Sequence, residues 1–307
     1  MKPTFALSRR QALGAGAALA SSPLIGAAPG ASRPQLLRRP YQPAAGGPER
    51  DHYVYLPAGF SSEEGKKWPV LLFLHGNGER GDGKDELAYT MIHGPLQEAW
   101  VQGRDLPFVI VQPQLDWYTR RKPERRPPPP VRMNDQPPPP RNYGSRPTAT
   151  MKREEPPGES RFALPEGWDM VAPDLLSMVD AALTDYRGDP DRVYLTGLSY
   201  GGYGTWSMAS MHPDRWAAVA PVCGTIDPAK VKPIADAKLP IWIFEGGRDP
   251  VVKPEWVMAA ARALEDAGHP EVRVTVHEDL AHNVWTRVYE GWDVYQWMLR
   301  NRRGANA

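Results

Sequence analysis

Residues 191–212 read "DRVYLTGLSYGGYGTWSMASMH". The first six carry the β-branched and aromatic residues of a strand, and from Tyr203 onward the chain reads as a helix. Between the two lies Gly197-Leu198-Ser199-Tyr200-Gly201, a serine with glycine two residues away on either side. A strand that turns this abruptly into a helix puts the central residue at the apex of a strained bend. Side chains at the flanking positions would collide there, so both must be glycine. Gly202 and Gly204 are expected to serve close packing of the following helix. The turn is either a packing device or a support for the hydroxyl of Ser199, and its partners elsewhere in the chain decide which.

Strand and helix patterns alternate on both sides of this turn. "HYVYLPAGF" (52–60) alternates as a strand does and ends at a Pro-Gly turn. "WPVLLFL" (68–74) and "PFVIVQPQ" (107–114) are apolar runs without alternation, as expected of strands buried on both faces of a parallel sheet. A helix is predicted over 169–186, a strand over 216–224, a strand over 239–249 and a helix from Pro254. A strand over 272–279 and one closing helix over 288–302 complete the series. The expected fold class is α/β, a mainly parallel central sheet with helices on both faces.

A serine hydroxyl needs a base to become a nucleophile, and the base needs an orienting acid. In this architecture each is expected in a loop after a strand, in the chain order serine, acid, histidine. Asp249 directly follows the apolar run in "IWIFEGGRDPVV", within a tight Gly/Pro loop, and Glu245 is the second choice. Among later histidines, His269 stands beside Gly268 and Pro270 as a cap, and His277 falls within or at the end of a strand. His282, in "EDLAHNVW", lies in the loop beyond that strand, where the base belongs. Negative charge developing on an attacked carbonyl calls for two fixed donors. The backbone N–H of Tyr200 and that of Asn77, in the glycine-rich loop "LHGNGERG", are expected to supply them, with Gly76 and Gly78 allowing close approach and His75 bracing the loop. Trp117 and Trp285 are candidates for lining a substrate pocket, whereas Trp206 is expected in the core.

The 307 residues suit one large α/β domain, 41% of them apolar, with a formal net charge of +1. That balance gives no electrostatic ground for a nucleic-acid partner. Cys223 is the only cysteine, which excludes an intrachain disulfide or a thiol-pair centre, and "APVCGT" reads as the end of a buried strand. No metal site or cofactor motif is recognisable. Of the 35 prolines, 13 fall within residues 118–165, including the runs 127–130 and 137–140, and basic residues outnumber acidic ones there. This composition cannot bury a core and is expected to form a disordered or loosely draped insertion in a single domain spanning 31–307. Residues 1–30 join Arg9-Arg10 to an apolar Ala/Gly-rich run too weak for a membrane span. "SRRQAL" resembles a twin-arginine export signal, implying contact with that export machinery and a periplasmic or secreted location.

These motifs together resemble the α/β-hydrolase superfamily, and within it the exported esterases and predicted peptidases related to feruloyl esterases and polyhydroxyalkanoate-depolymerase-like enzymes. The resemblance rests on "LLFLHGNGERGDG", "DRVYLTGLSYGGYGTW", "IFEGGRDPVV" and "AHNVW", and covers residues 51–300 apart from the insertion. It implies a triad of Ser199, Asp249 and His282, an oxyanion hole from Asn77 and Tyr200, and ester hydrolysis through an acyl-enzyme without metal or cofactor. The chain departs from these relatives in having Tyr200 where methionine is usual, Glu245 where histidine is common and Ala281 where glycine precedes the base. The expected substrate is a small or polymer-linked ester, such as an acylated carbohydrate or feruloyl ester. A serine peptidase of the same fold is an alternative, as is a non-catalytic protein that contacts the cell envelope through residues 118–165.

Overall fold

The computed structural model describes residues 32–128, 130–132, 134 and 167–304. The N-terminal signal-like segment and most of the proline-rich insertion lie outside them. Eight strands form one sheet: β1 (Gln35–Tyr41), β2 (Arg50–Leu56), β3 (Trp68–Leu74), β4 (Val109–Gln112), β5 (Gly188–Leu198), β6 (Ala218–Val222), β7 (Ile241–Gly246) and β8 (Val272–His277). Their order is β1-β2-β4-β3-β5-β6-β7-β8. The β1–β2 and β2–β4 pairs are antiparallel and all others parallel.

The unbroken apolar run of β3 follows from its place beside β4 and β5 near the middle of the sheet. Val70, Leu72 and Leu74 pack into one core layer with α1 (Ala172–Asp185), α2 (Tyr200–Met211) and α4 (Pro254–Asp266). Leu71 and Phe73 pack into the layer on the opposite face, with Trp100, Tyr289 and Tyr295. Both faces of the strand are thus dry, and polar alternation would leave buried groups unpaired.

The structure adds to the expected series and corrects part of it. Residues 35–41, to which the sequence reading assigned no element, form a strand: β1 pairs along its length with β2, from Gln35 opposite Leu56 to Tyr41 opposite Arg50. Its charged "LLRRP" sequence suits an edge, and Arg38 pairs with Asp51 across the ladder. The closing helix is two helices, α5 (Trp285–Glu290) and α6 (Asp293–Arg300), parted at Gly291, whose backbone is extended (φ −72°, ψ 164°). Glycine is a poor helix residue, and buried Arg104 donates from Nη1 to Tyr289 O at 2.8 Å and from Nη2 to Gly291 O at 3.2 Å, which fixes the break. A short helix, α3 (Lys232–Asp236), also precedes β7.

The described residues of the insertion, 118–128, 130–132 and 134, form a strap held by specific contacts. Arg125 donates to Gly78 O at 2.8 Å and to Arg80 O at 2.6 Å, pairs with Glu86 at 2.9 Å and lies 3.4 Å from the centre of the Tyr89 ring. Tyr89 in turn donates to Arg126 O. Arg132 stacks 3.8 Å over Trp100, and Asn134 Oδ1 accepts the Leu36 N–H at 2.9 Å. Arginine stems and planes do here what apolar side chains do in a core. The remaining residues of the insertion, 135–165 among them, lie outside the described set.

Candidate active site

Ser199 sits between the end of β5 and the start of α2 with φ 51° and ψ −114°, a left-handed backbone that a non-glycine residue adopts only when its surroundings impose it. Its N–H donates to Val222 O at 2.9 Å, tying the apex to the end of β6. The glycines around it are required by neighbours. A Cβ at Gly197 would stand 2.6 Å from Gly201 C and 2.7 Å from Leu74 O. One at Gly201 would overlap Leu74 O and stand 2.7 Å from His75 O. The collision foreseen between the two glycines is therefore joined by a second, against the end of β3. Gly202 lies against Gly224, where a Cβ would be 3.0 Å from its Cα, and Gly204 lies against the Trp168 ring at 2.6 Å, as close helix packing requires.

The three candidate side chains converge. His282 follows the loop after β8 and opens a short 3-10 turn. Its Nε2 lies 2.8 Å from Ser199 Oγ, and its Nδ1 lies 2.6 Å from Asp249 Oδ2. Asp249, in the loop after β7, is 4% exposed, and its Oδ1 accepts the N–H groups of Val251 at 2.7 Å and Val252 at 3.0 Å. These two bonds fix the carboxylate so that Oδ2 faces the imidazole. Nδ1 then carries the proton donated to Asp249, and Nε2 is left to accept from the serine. The other histidines are engaged elsewhere. His269 is buried with Nε2 2.8 Å from Leu239 O, a bracing contact inside the domain and not a solvent-facing cap, and His277 Nδ1 faces Arg287 at 3.4 Å.

The glycine-rich loop after β3 lies over this turn. Gly76 is close enough that a Cβ would stand 2.8 Å from Leu198 Cδ1, whereas a Cβ at Gly78 would meet nothing within 4 Å. His75 is fully buried and holds the loop. Its Nε2 accepts the Leu115 N–H at 2.9 Å, so the proton is on Nδ1, which donates to Gly76 O at 2.6 Å. Burial pushes its pKa down to about 3, so it stays neutral. Asn77 begins a 3-10 turn, and its Oδ1 accepts from Arg80 Nε at 3.1 Å and Arg120 Nη1 at 3.3 Å. Tyr200 begins α2, where first-turn N–H groups look out along the helix axis.

Tyr200 is 4% exposed, and the guanidinium groups of Arg80 and Arg120 lie 4.4 Å and 5.2 Å from its ring centre. It is a shelf on which the strap rests. The Trp285 ring stands perpendicular to that of His282 at 5.2 Å and lies 5.4 Å from that of His93, so one pocket candidate reaches the site. Trp117 is buried, with Arg125 5.4 Å from its ring centre, and belongs to the anchorage of the strap. Trp206 is fully buried in the core and donates to Gly224 O at 3.0 Å.

Three residues at the site carry no motif of their own. Cys223, just past β6 with φ 41°, has its sulfur within 4.8 Å of donor atoms of both Asp249 and His282, and burial pushes its thiol pKa up. Glu79, under the glycine-rich loop, is pushed up to about 7 by burial. Glu245 lies fully buried at the end of β7, next to Asp249. Only its position after an apolar strand marked it in the sequence.

Known proteins agree with this architecture. Residues 169–237 match the prolyl oligopeptidase family. A putative esterase, NocK, from Nocardia uniformis subsp. tsuyamanensis is 32% identical over 111 residues, 36% of this chain and 28% of that protein. The crystal structure of a thermostable esterase superposes with a TM-score of 0.58 at 24% identity, covering 87% of this chain and 63% of that one. A ferulic acid esterase does so with a TM-score of 0.54 at 19% identity, covering 87% and 99%. The chain thus spans about a quarter of NocK and under two thirds of the thermostable esterase. Sheet order, elbow and these likenesses give the chain an α/β-hydrolase fold. The elbow and the helices on either side are the part that resembles the prolyl oligopeptidase family.

Proposed function

We propose that the protein is a serine hydrolase that cleaves carboxylic esters through an acyl-enzyme intermediate. The observation that carries this reading is the unbroken chain of contacts from Ser199 Oγ through the His282 ring to Asp249, at 2.8 Å and 2.6 Å. Ser199 Oγ attacks the ester carbonyl while His282 Nε2 takes its proton. Asp249 holds the ring and stabilises the imidazolium that forms. The N–H groups of Asn77 and Tyr200 receive the oxyanion. Collapse of the tetrahedral intermediate moves the proton from His282 to the leaving alcohol, and water then repeats the sequence to release the acid.

The indole that Trp285 places beside His282 suits an aryl acyl group or a sugar ring, which supports an acylated carbohydrate or feruloyl ester as substrate. The fold likeness to a ferulic acid esterase points the same way. A serine peptidase is the second reading, favoured by the family match over 169–237. Arg9-Arg10 and the apolar run that follows support export to the periplasm or beyond. The arginines of the insertion support contact with envelope polymers. The test is a panel of aryl and acyl esters beside the matching amides, with the wild type and Ser199→Ala. Ester turnover that Ser199→Ala loses supports the reading. Turnover of amides alone favours the peptidase, and turnover retained by Ser199→Ala overturns both.

A further inference from the structure

Glu245 has no exposed surface. Its Oε1 accepts the Gly246 N–H at 2.8 Å, while Oε2 is buried and meets no N–H or O–H donor among the described residues. Burial and the charge of the neighbouring Asp249 carboxylate both oppose ionisation of Glu245, and a proton on Oε2 would have Asp249 as its acceptor. Two carboxylates side by side in a dry site do not both ionise.

The donors around each decide which one keeps a proton. Asp249 accepts three N–H groups, from Val251, Val252 and His282 Nδ1, which together favour its charged form. Glu245 accepts one. The structure therefore assigns the proton to Glu245: we propose that it is a neutral acid at working pH and a positioning residue whose O–H donates to Asp249. The inference rests on the reading of Ser199, His282 and Asp249 as a triad. The other titratable groups acting here agree with it. Burial, then the charge of Asp249, then that of Glu255 on α4 all oppose ionisation of Glu245, and the nearby thiol of Cys223 is itself held protonated.

The shared proton gives the Asp249 carboxylate a fourth donor and keeps a second negative charge away from the imidazole. An ionised Glu245 would instead stabilise the imidazolium and move the acid limb of the pH–rate profile to higher pH.

Infrared difference spectra of the wild type against Glu245→Gln at pH 7 read the proton directly. A protonated-carboxyl C=O band present only in the wild type is expected, and a carboxylate band in its place overturns the proposal. The second readout is the rate at which a fluorophosphonate probe labels Ser199 across pH. Glu245→Leu, which removes the donor, is expected to lower the plateau rate about tenfold, the worth of one hydrogen bond, and to move the acid limb to higher pH. Glu245→Gln keeps a donor and no charge, and is expected to restore the rate to within about threefold with the acid limb where the wild type has it. An acid limb moved to lower pH in Glu245→Gln means that a charge was removed, and refutes the neutral acid. Should Glu245→Leu not fold, the infrared band and the Glu245→Gln profile still decide. Should no variant, nor the wild type, react with the probe, the triad reading fails while the infrared band still reports the proton.

Discussion

Gly201→Ala is the sharpest probe of the elbow. The added methyl group would overlap Leu74 O and stand 2.7 Å from His75 O, both backbone atoms at the mouth of β3. No flexible side chain can yield, so either α2 or the end of β3 must shift by about 1.5 Å to reach ordinary contact distance. Overpacking a rigid core costs about 1–3 kcal/mol, and a clash against backbone belongs at the upper end. For a chain of this size that lowers Tm by about 5 °C. The same shift displaces Ser199 relative to His282 and to the glycine-rich loop. A misplacement of about 1 Å costs on the order of a hundredfold in rate. Thermal melts and the rate of fluorophosphonate labelling measure the two effects on one sample. Gly78→Ala is the control, because a Cβ there meets nothing within 4 Å, and its Tm should stay within about 2 °C of the wild type. A Gly201→Ala protein that melts with the wild type and labels at its rate would refute the elbow geometry.

Three further outcomes are expected. Arg104→Ala removes the buried guanidinium that pairs with Glu98 at 3.0 Å and donates to the carbonyls of Tyr289 and Gly291, so Tm should fall by about 5–8 °C; a fall under about 2 °C contradicts the assigned cause of the α5–α6 break. Burial pushes the pKa of His52 down to about 4, so the unfolded chain binds more protons below pH 6.5 and the stability lost there should be lost less steeply in His52→Gln, as denaturant melts from pH 4 to 8 will show. Glu79 has the opposite sign: raised to about 7, its contribution is full below about pH 4.5 and lost as pH rises to 7. Glu79→Gln should therefore gain on the wild type across that interval and level off above it, and an unchanging difference would refute the raised value.

Much of this was legible in the sequence because the chemistry constrains residue types locally. The elbow needs glycine at 197 and 201, a strand buried on both faces needs an apolar run such as Val70–Leu74, and the proposed triad, drawn from post-strand loops, calls for Asp249 and His282 where they stand. What was missed depends on partners distant in the chain. β1 carries charge on an exposed edge and so shows no clean alternation. The strap is ordered by arginines that find rings and carbonyls 30 to 50 residues away, which a composition rich in proline and arginine does not reveal. The helix break at Gly291 depends on Arg104, 187 residues earlier. Glu245 looked like a spare acid because only the fold shows its carboxyl against Asp249. Tyr200 showed in the sequence only as a departure from methionine, whereas in the fold its ring meets the guanidinium groups of Arg80 and Arg120.

The central claim is that Ser199 is a nucleophile activated by His282. Peptide mapping by mass spectrometry after reaction of the folded protein with a fluorophosphonate tests it most directly. One adduct, on the peptide containing Ser199, is predicted, with labelling abolished in Ser199→Ala and slowed on the order of a thousandfold or more in His282→Ala. A folded wild type that takes no label, or an adduct that persists in Ser199→Ala, would contradict it.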